Sequence, residues 1–157
     1  MSQNNPPADP SALPQPALVP SIKPMGSKVL VVEDDADILS SLAEVIREEG
    51  FEVSTAANGY QALAQMETQT FDLIFLDLMM PLMDGWRFME IARTRFPNMR
   101  APVVLLSAVN NLAEEAARIG LENFLAKPFD LEDVVRTVHR LCGGSRPRFT
   151  TPALAHR

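Results

Sequence analysis

Cysteine is almost absent: Cys142 is the only one in 157 residues. A disulfide-stapled secreted scaffold and a zinc site built on several thiolates are both excluded, and a reducing compartment is the natural home of such a chain. Long apolar runs are also missing. Stretches such as Val103 to Leu106 are broken by polar residues well before the ~18 positions that a bilayer-crossing helix needs, and the start is too rich in proline and too poor in positive charge for a signal peptide. The reading is a cytoplasmic protein with no membrane insertion. Positive charge is the third scarcity: residues 28–141 hold 10 Lys or Arg against 19 Asp or Glu, within a formal net charge of -6. Nucleic acid is therefore not expected as a direct partner, because its phosphates would meet a negative body. Arg146, Arg148 and Arg157 are too few to reverse that.

With 46% apolar residues the chain has material for one core. Seven of the 13 prolines fall in the first 24 residues, where no helical or alternating pattern persists. Residues 1–27 read as a disordered proline-rich tail, 28–142 as the ordered domain, and 143–157, after Gly143, as a flexible basic tail.

Inside the domain, short apolar runs alternate with amphipathic stretches. Val29 to Val32, Phe51 to Thr55, DLIFLD (72–77), Val103 to Ser107 and Asn123 to Ala126 read as five strands. Between them lie helices carrying Ile38, Leu39, Leu42, Val45 and Ile46; then Ala62, Leu63 and Met66; then Phe88, Ile91 and Ala92; then Leu112 to Ile119; and last Leu131, Val134, Val135, Val138 and Leu141. Asn58, Asp84 and Asp130 are placed as N-caps, with Gly50 and Gly120 as stops. Right-handed crossovers leave few assemblies open, so the fold class is α/β: a doubly wound five-stranded parallel sheet with helices on both faces, the flavodoxin-like (βα)5 arrangement.

Ligands of such sheets sit beyond the carboxyl ends of the strands. Glu33, Asp34 and Asp35 follow the first strand, Asp77 ends the third, Ser107 ends the fourth and Lys127 follows the fifth. Asp35 or Asp37 alone reads best as a turn or cap residue. The set together does not, because clustered carboxylates must be neutralised or protonated. A hard divalent cation resolves that cost through oxygen ligands. Magnesium is assigned to Asp34 and Asp77, with Glu33 acting through water and the Met79 carbonyl as a further ligand. Asp77 is then a carboxylate nucleophile that forms an aspartyl phosphate, and Lys127 pairs first with Asp77 and later with a phosphoryl oxygen. Backbone amides near Met79 and Ala108 take the other oxygens. No residue supplies the phosphoryl group, so the donor is external.

VVEDD, FLDLMMPLMDG, LLSA and FLAKPF, in that order, resemble the receiver domain of two-component response regulators of the stand-alone type. The resemblance covers about residues 28–141. It implies Asp77 as phosphoacceptor, Glu33 and Asp34 as the acidic pair at Mg2+, Ser107 as switch hydroxyl and Lys127 as the paired lysine. A sensor histidine kinase or histidine phosphotransfer protein is the implied donor, slow autodephosphorylation the implied side activity, and a cis Lys127–Pro128 bond the implied geometry. Phe124 occupies the place of a mobile switch aromatic, with a permanently buried core phenylalanine as the bland alternative.

Only 15 residues follow Cys142. The expected output is therefore contact through the face of helix 4, strand 5 and helix 5, with a downstream protein or a second copy; Asn110, Asn111, Glu114 and Glu115 form its polar rim or plain solvated surface. Two other functions compete. One is an unphosphorylated adaptor with the same fold. The other is a multiple-turnover phosphohydrolase, which would want a second carboxylate where Met79 stands. His139 reads as a surface histidine near a helix end, and His156 and Cys142 as passive.

Overall fold

The computed structural model describes residues 26–143. The expectations for both tails, His156 and the three late arginines lie outside the described residues.

Five parallel strands, β1 (Lys28–Val32), β2 (Glu52–Ala56), β3 (Leu73–Asp77), β4 (Val103–Ser107) and β5 (Asn123–Ala126), alternate with α1 (Ala36–Glu48), α2 (Gly59–Thr68), α3 (Gly85–Arg95), α4 (Leu112–Arg118) and α5 (Leu131–Cys142). The sheet order is β2-β1-β3-β4-β5. The doubly wound fold is thus as the alternating pattern requires. Odd and even strand positions point to opposite faces. Leu30, Val32, Ile74, Leu76, Val103 and Leu105 join Ala62, Phe88, Ala92 and Ala116 of α2, α3 and α4 in one core layer. Val29, Val31, Leu73, Phe75, Val104 and Leu106 join Leu42, Ile46, Val134 and Val138 of α1 and α5 in the other. Both faces are covered, which is why β1, β3 and β4 are apolar almost throughout.

Register fixes the site. Val32 lies opposite Leu76, Asp77 opposite Leu106, and Ser107 opposite Ala126. The strands therefore end together, and the residues that follow them share one edge. Strand order reverses between β1 and β3, so Glu33 and Asp77 flank the reversal point.

Local chemistry explains the boundaries. Asp35 accepts from the amides of Asp37 and Ile38 at 2.9 and 3.1 Å, so it caps α1, as its plain reading holds. Asn58 accepts from Gln61 N and Asp84 from Arg87 N. At the end of α4, the amides of Gly120 and Leu121 return to Ala117 O and Ala116 O, and Gly120 takes φ +69. That left-handed exit suits glycine.

Several details depart from the pattern. β2 runs one residue later than expected, leaving Phe51 as a buried loop residue. Asp130 holds the N-cap position of α5 without a side-chain cap bond. Leu131, expected inward, is exposed, while Thr137 is buried because its hydroxyl donates to Asp133 O at 2.7 Å and so carries no unmet polarity. In α3, Met89 is fully buried and Ile91 only half-buried. Phe124 is 41% exposed on the edge strand β5, which removes the permanently buried alternative.

Gly85 presses directly on the chain that carries Asp77. A Cβ there would stand 2.8 Å from Asp77 O and 2.8 Å from Leu78 Cα, both backbone atoms that cannot swing aside. Gly85→Ala is predicted to cost about 1–3 kcal/mol, the usual range for overpacking. Urea unfolding checks this, and an unchanged midpoint contradicts it.

Candidate functional site

Glu33 is completely buried and Asp77 is 2% exposed, whereas Asp34 is open to solvent. The β1 and β3 ends bring carboxylate oxygens of all three within 4.8 Å of one another. Lys127 arrives from β5, two strands away from β3. Adjacent strands lie about 4.8 Å apart, so only a long side chain spans β4 to meet Asp77. Lys127 Nζ donates to Asp77 Oδ2 at 3.3 Å and lies 2.7 Å from Glu33 Oε2. That second contact is an ion pair without hydrogen-bond geometry, so Glu33 Oε2 is a buried oxygen with no hydrogen bond. The remaining oxygens are better served: Glu33 Oε1 accepts from Asp35 N at 3.2 Å and Asp77 Oδ1 from Met79 N at 3.1 Å.

Two buried carboxylates thus share one ammonium. Burial, reinforced by the charge of Asp77, pushes the Glu33 carboxyl up to about 7 against the opposing pull of Lys127. Asp77 is also raised, by burial, though the Met79 amide and Lys127 oppose the shift. Burial alone would lower the Lys127 ammonium, but its contacts with Glu33 and Asp77 prevail and hold it above its ordinary value.

The donor set fits a hard divalent cation: oxygen only, clustered, one oxygen buried without a hydrogen bond, and one carboxylate facing water where entry is open. A sequence model of the response regulator receiver domain matches residues 29–139. The chain belongs to the response regulator receiver family.

As a receiver it is a phosphoacceptor domain of two-component signalling, resembling other members over about three quarters of the chain. It is 38% identical over 116 residues to the transcriptional regulatory protein PrrA of Mycobacterium tuberculosis, covering 73% of this chain and 49% of that protein. Protein PilG of Pseudomonas aeruginosa is 30% identical, with 72% of this chain and 85% of PilG covered. The chain spans about half the length of the transcriptional regulators it matches. Among solved structures, the chemotaxis protein CheY4 of Vibrio cholerae superposes with a TM-score of 0.67 at 32% identity, covering 73% of this chain and 98% of that one. The response regulator TrrA of Thermotoga maritima, in complex with Mg2+ and BeF, gives 0.64 at 29% identity, covering 73% and 98%.

Ser107 is fully buried, and its Oγ accepts from Val109 N at 3.4 Å. Its carbonyl receives the Lys127 amide at 2.8 Å, which ties the lysine's backbone to β4. The Lys127–Pro128 bond is cis. Met79 projects outward, 59% exposed. Sequence reasoning missed three features. Leu82, in the loop before α3, takes φ +71 although it is not glycine. Glu115, assigned to a polar rim, is buried and receives the Trp86 indole N–H at 3.0 Å. His139, read as an isolated surface residue, lies 2.6 Å from Glu49 and packs edge-on against Phe51, joining α5 to α1. Among the described residues no helix is long and apolar enough to cross a membrane.

The raised Glu33 carboxyl sets a pH dependence. Between its ordinary 4.5 and about 7, the folded chain keeps a proton that the unfolded chain releases. Its contribution to metal-free stability therefore falls as pH rises through that window and levels off above it. Glu33→Gln is predicted to flatten this slope and to melt higher than the parent at pH 8 without metal. Added Mg2+ should raise the parent's melting temperature more at pH 8 than at pH 5.5, because protons compete for the same oxygens. Thermal melts across pH settle it, and identical slopes for parent and variant oppose it.

Proposed function

We propose that Asp77 takes a phosphoryl group from the phosphohistidine of a sensor histidine kinase or phosphotransfer protein, and that Ser107 and Phe124 pass the change to the face of α4, β5 and α5. One observation carries this reading: a nearly buried Asp77 carboxylate shares Lys127 with Glu33 at the edge of an acidic cluster suited to a divalent cation.

A bond forms between an Asp77 carboxylate oxygen and phosphorus as the donor's P–N bond breaks, and the electron pair leaves with the imidazole. Asp77 is held for this by the Met79 amide and by the Gly85 turn packed beneath its carbonyl. Lys127 begins on Asp77 and Glu33 and ends paired with a phosphoryl oxygen. Glu33, Asp34, Asp77 and the Met79 carbonyl would hold magnesium, which supplies positive charge against the phosphoryl oxygens. The Mg2+ and BeF complex of TrrA supports that ligand class. Ser107 Oγ, bonded only weakly to Val109 N, is free to turn to the new acceptor oxygens. Movement of the loop after β4 then alters the room beside the half-exposed Phe124. Output passes by contact with a protein partner or a second copy.

Met79 and Val109 bring apolar side chains to the water's approach, and neither can orient it for attack. Self-dephosphorylation is therefore slow, and the aspartyl phosphate outlasts seconds.

Acetyl phosphate with Mg2+ is expected to label the parent once per chain, in a hydroxylamine-sensitive bond, and to leave Asp77→Asn unlabelled. Lys127→Ala should label roughly 100-fold more slowly, the scale for losing one charge-stabilising donor. An unlabelled parent would favour the adaptor reading, and rapid multiple turnover the phosphohydrolase; either overturns the proposal.

A further inference from the structure

Helix α4 has seven residues, too few to be stable alone, and Asn111 at its N-cap makes no side-chain cap bond. Glu115 is the residue that anchors it. Its buried carboxylate receives Trp86 Nε1 on Oε2 at 3.0 Å, Asn111 Nδ2 on Oε1 at 3.3 Å, and Arg118 Nη1 on both oxygens at 2.9 and 3.1 Å. The indole leads the interactions that hold this carboxyl below the ordinary carboxylate range. Asn111 and Arg118 belong to α4 or its cap and move with it. Trp86 does not, because it belongs to α3. Two turns further along α3, Arg93 donates to Ile119 O at the C-terminal end of α4. Positions 86 and 93 fall on one face of α3, so that face holds α4 at its middle and at its C-terminal end.

We propose that the Trp86–Glu115 bond is a clasp holding α4 in its unphosphorylated arrangement, and that Trp86 and Glu115 are positioning residues that set how readily the receiver switches. The inference rests on the phosphoacceptor reading above. Only residues 108–111 separate Ser107 from Leu112, so a loop drawn toward a phosphorylated Asp77 takes Asn111 with it. Asn111 is bonded to Glu115, and Glu115 to an indole on a helix that is not being pulled. Hydrogen bonds lose strength steeply with distance and angle, so carrying Glu115 away from the indole forfeits the one bond that ties it to α3. The clasp therefore opposes the switch.

Trp86 is the sole tryptophan, so its emission reports the clasp. In the full chain with Mg2+, titration with beryllium fluoride is expected to change Trp86 emission in step with binding measured by calorimetry. Trp86→Phe keeps a ring but removes the N–H donor. It should bind beryllium fluoride about fivefold more tightly, the scale for releasing one hydrogen bond that opposes the bound state. Glu115→Gln should shift affinity in the same direction, and the two changes together should be less than additive. Magnesium affinity without fluoride stays at the parent value. A residue that merely stabilises the fold would lower the melting temperature and leave the fluoride affinity alone. Silent Trp86 emission during binding, or equal or weaker affinity in Trp86→Phe, overturns the clasp and spares the phosphoacceptor reading. A parent that binds no beryllium fluoride and takes no label from acetyl phosphate sinks both.

Discussion

One ammonium between two buried carboxylates is the constraint on which the receiver depends. Glu33 and Asp77 are drawn together by the adjacency of β1 and β3, and that adjacency follows from two core layers that need those strands side by side. Placing like charges there is unfavourable, and burial makes it more so. Lys127 offsets part of the cost, but it serves two oxygens at once: its hydrogen bond to Asp77 is long at 3.3 Å, and its closer contact with Glu33 lacks hydrogen-bond geometry. The site is built short of positive charge. That deficit is what makes the same atoms receptive to a cation and leaves Lys127 able to exchange one oxygen partner for another.

Much of this was legible in the sequence because it rests on period and punctuation. Strand residues buried on both sides form unbroken apolar runs, and Asp35, Asn58 and Asp84 cap helices because short polar side chains reach the free amides. The ends of those runs locate Glu33, Asp77, Ser107 and Lys127 at one edge. Partnerships across elements were not legible. Glu115 looks like any acidic residue on a short polar helix, and only the fold brings Trp86, 29 positions away, to its carboxylate. His139 and Glu49 are 90 positions apart. Thr137 escaped for another reason: its hydroxyl is satisfied inside its own helix, so a polar letter hides an inward position, while Leu131, in the first turn of α5, is apolar and exposed.

Stiffness is divided unevenly across the sheet, and the division matches the chemistry. β1 and β3 are central, paired on both edges and buried at nearly every position. They carry Glu33 and Asp77, whose oxygens must stay in register for a displacement at phosphorus, where small misplacements are costly. β5 is an edge strand of four residues with alternate positions exposed, and the helix before it is the shortest in the fold. Elements with few buried contacts are the ones that move at low cost. Lys127 joins the two regimes: its amide is tied to Ser107 O and its ammonium reaches back to the rigid half. A change of charge at Asp77 therefore meets resistance from β1 and β3 and compliance from β5, while α4 yields only as its bonds to Trp86 and Arg93 give way. The response is directed toward one face of the molecule by the packing alone, before any partner is engaged.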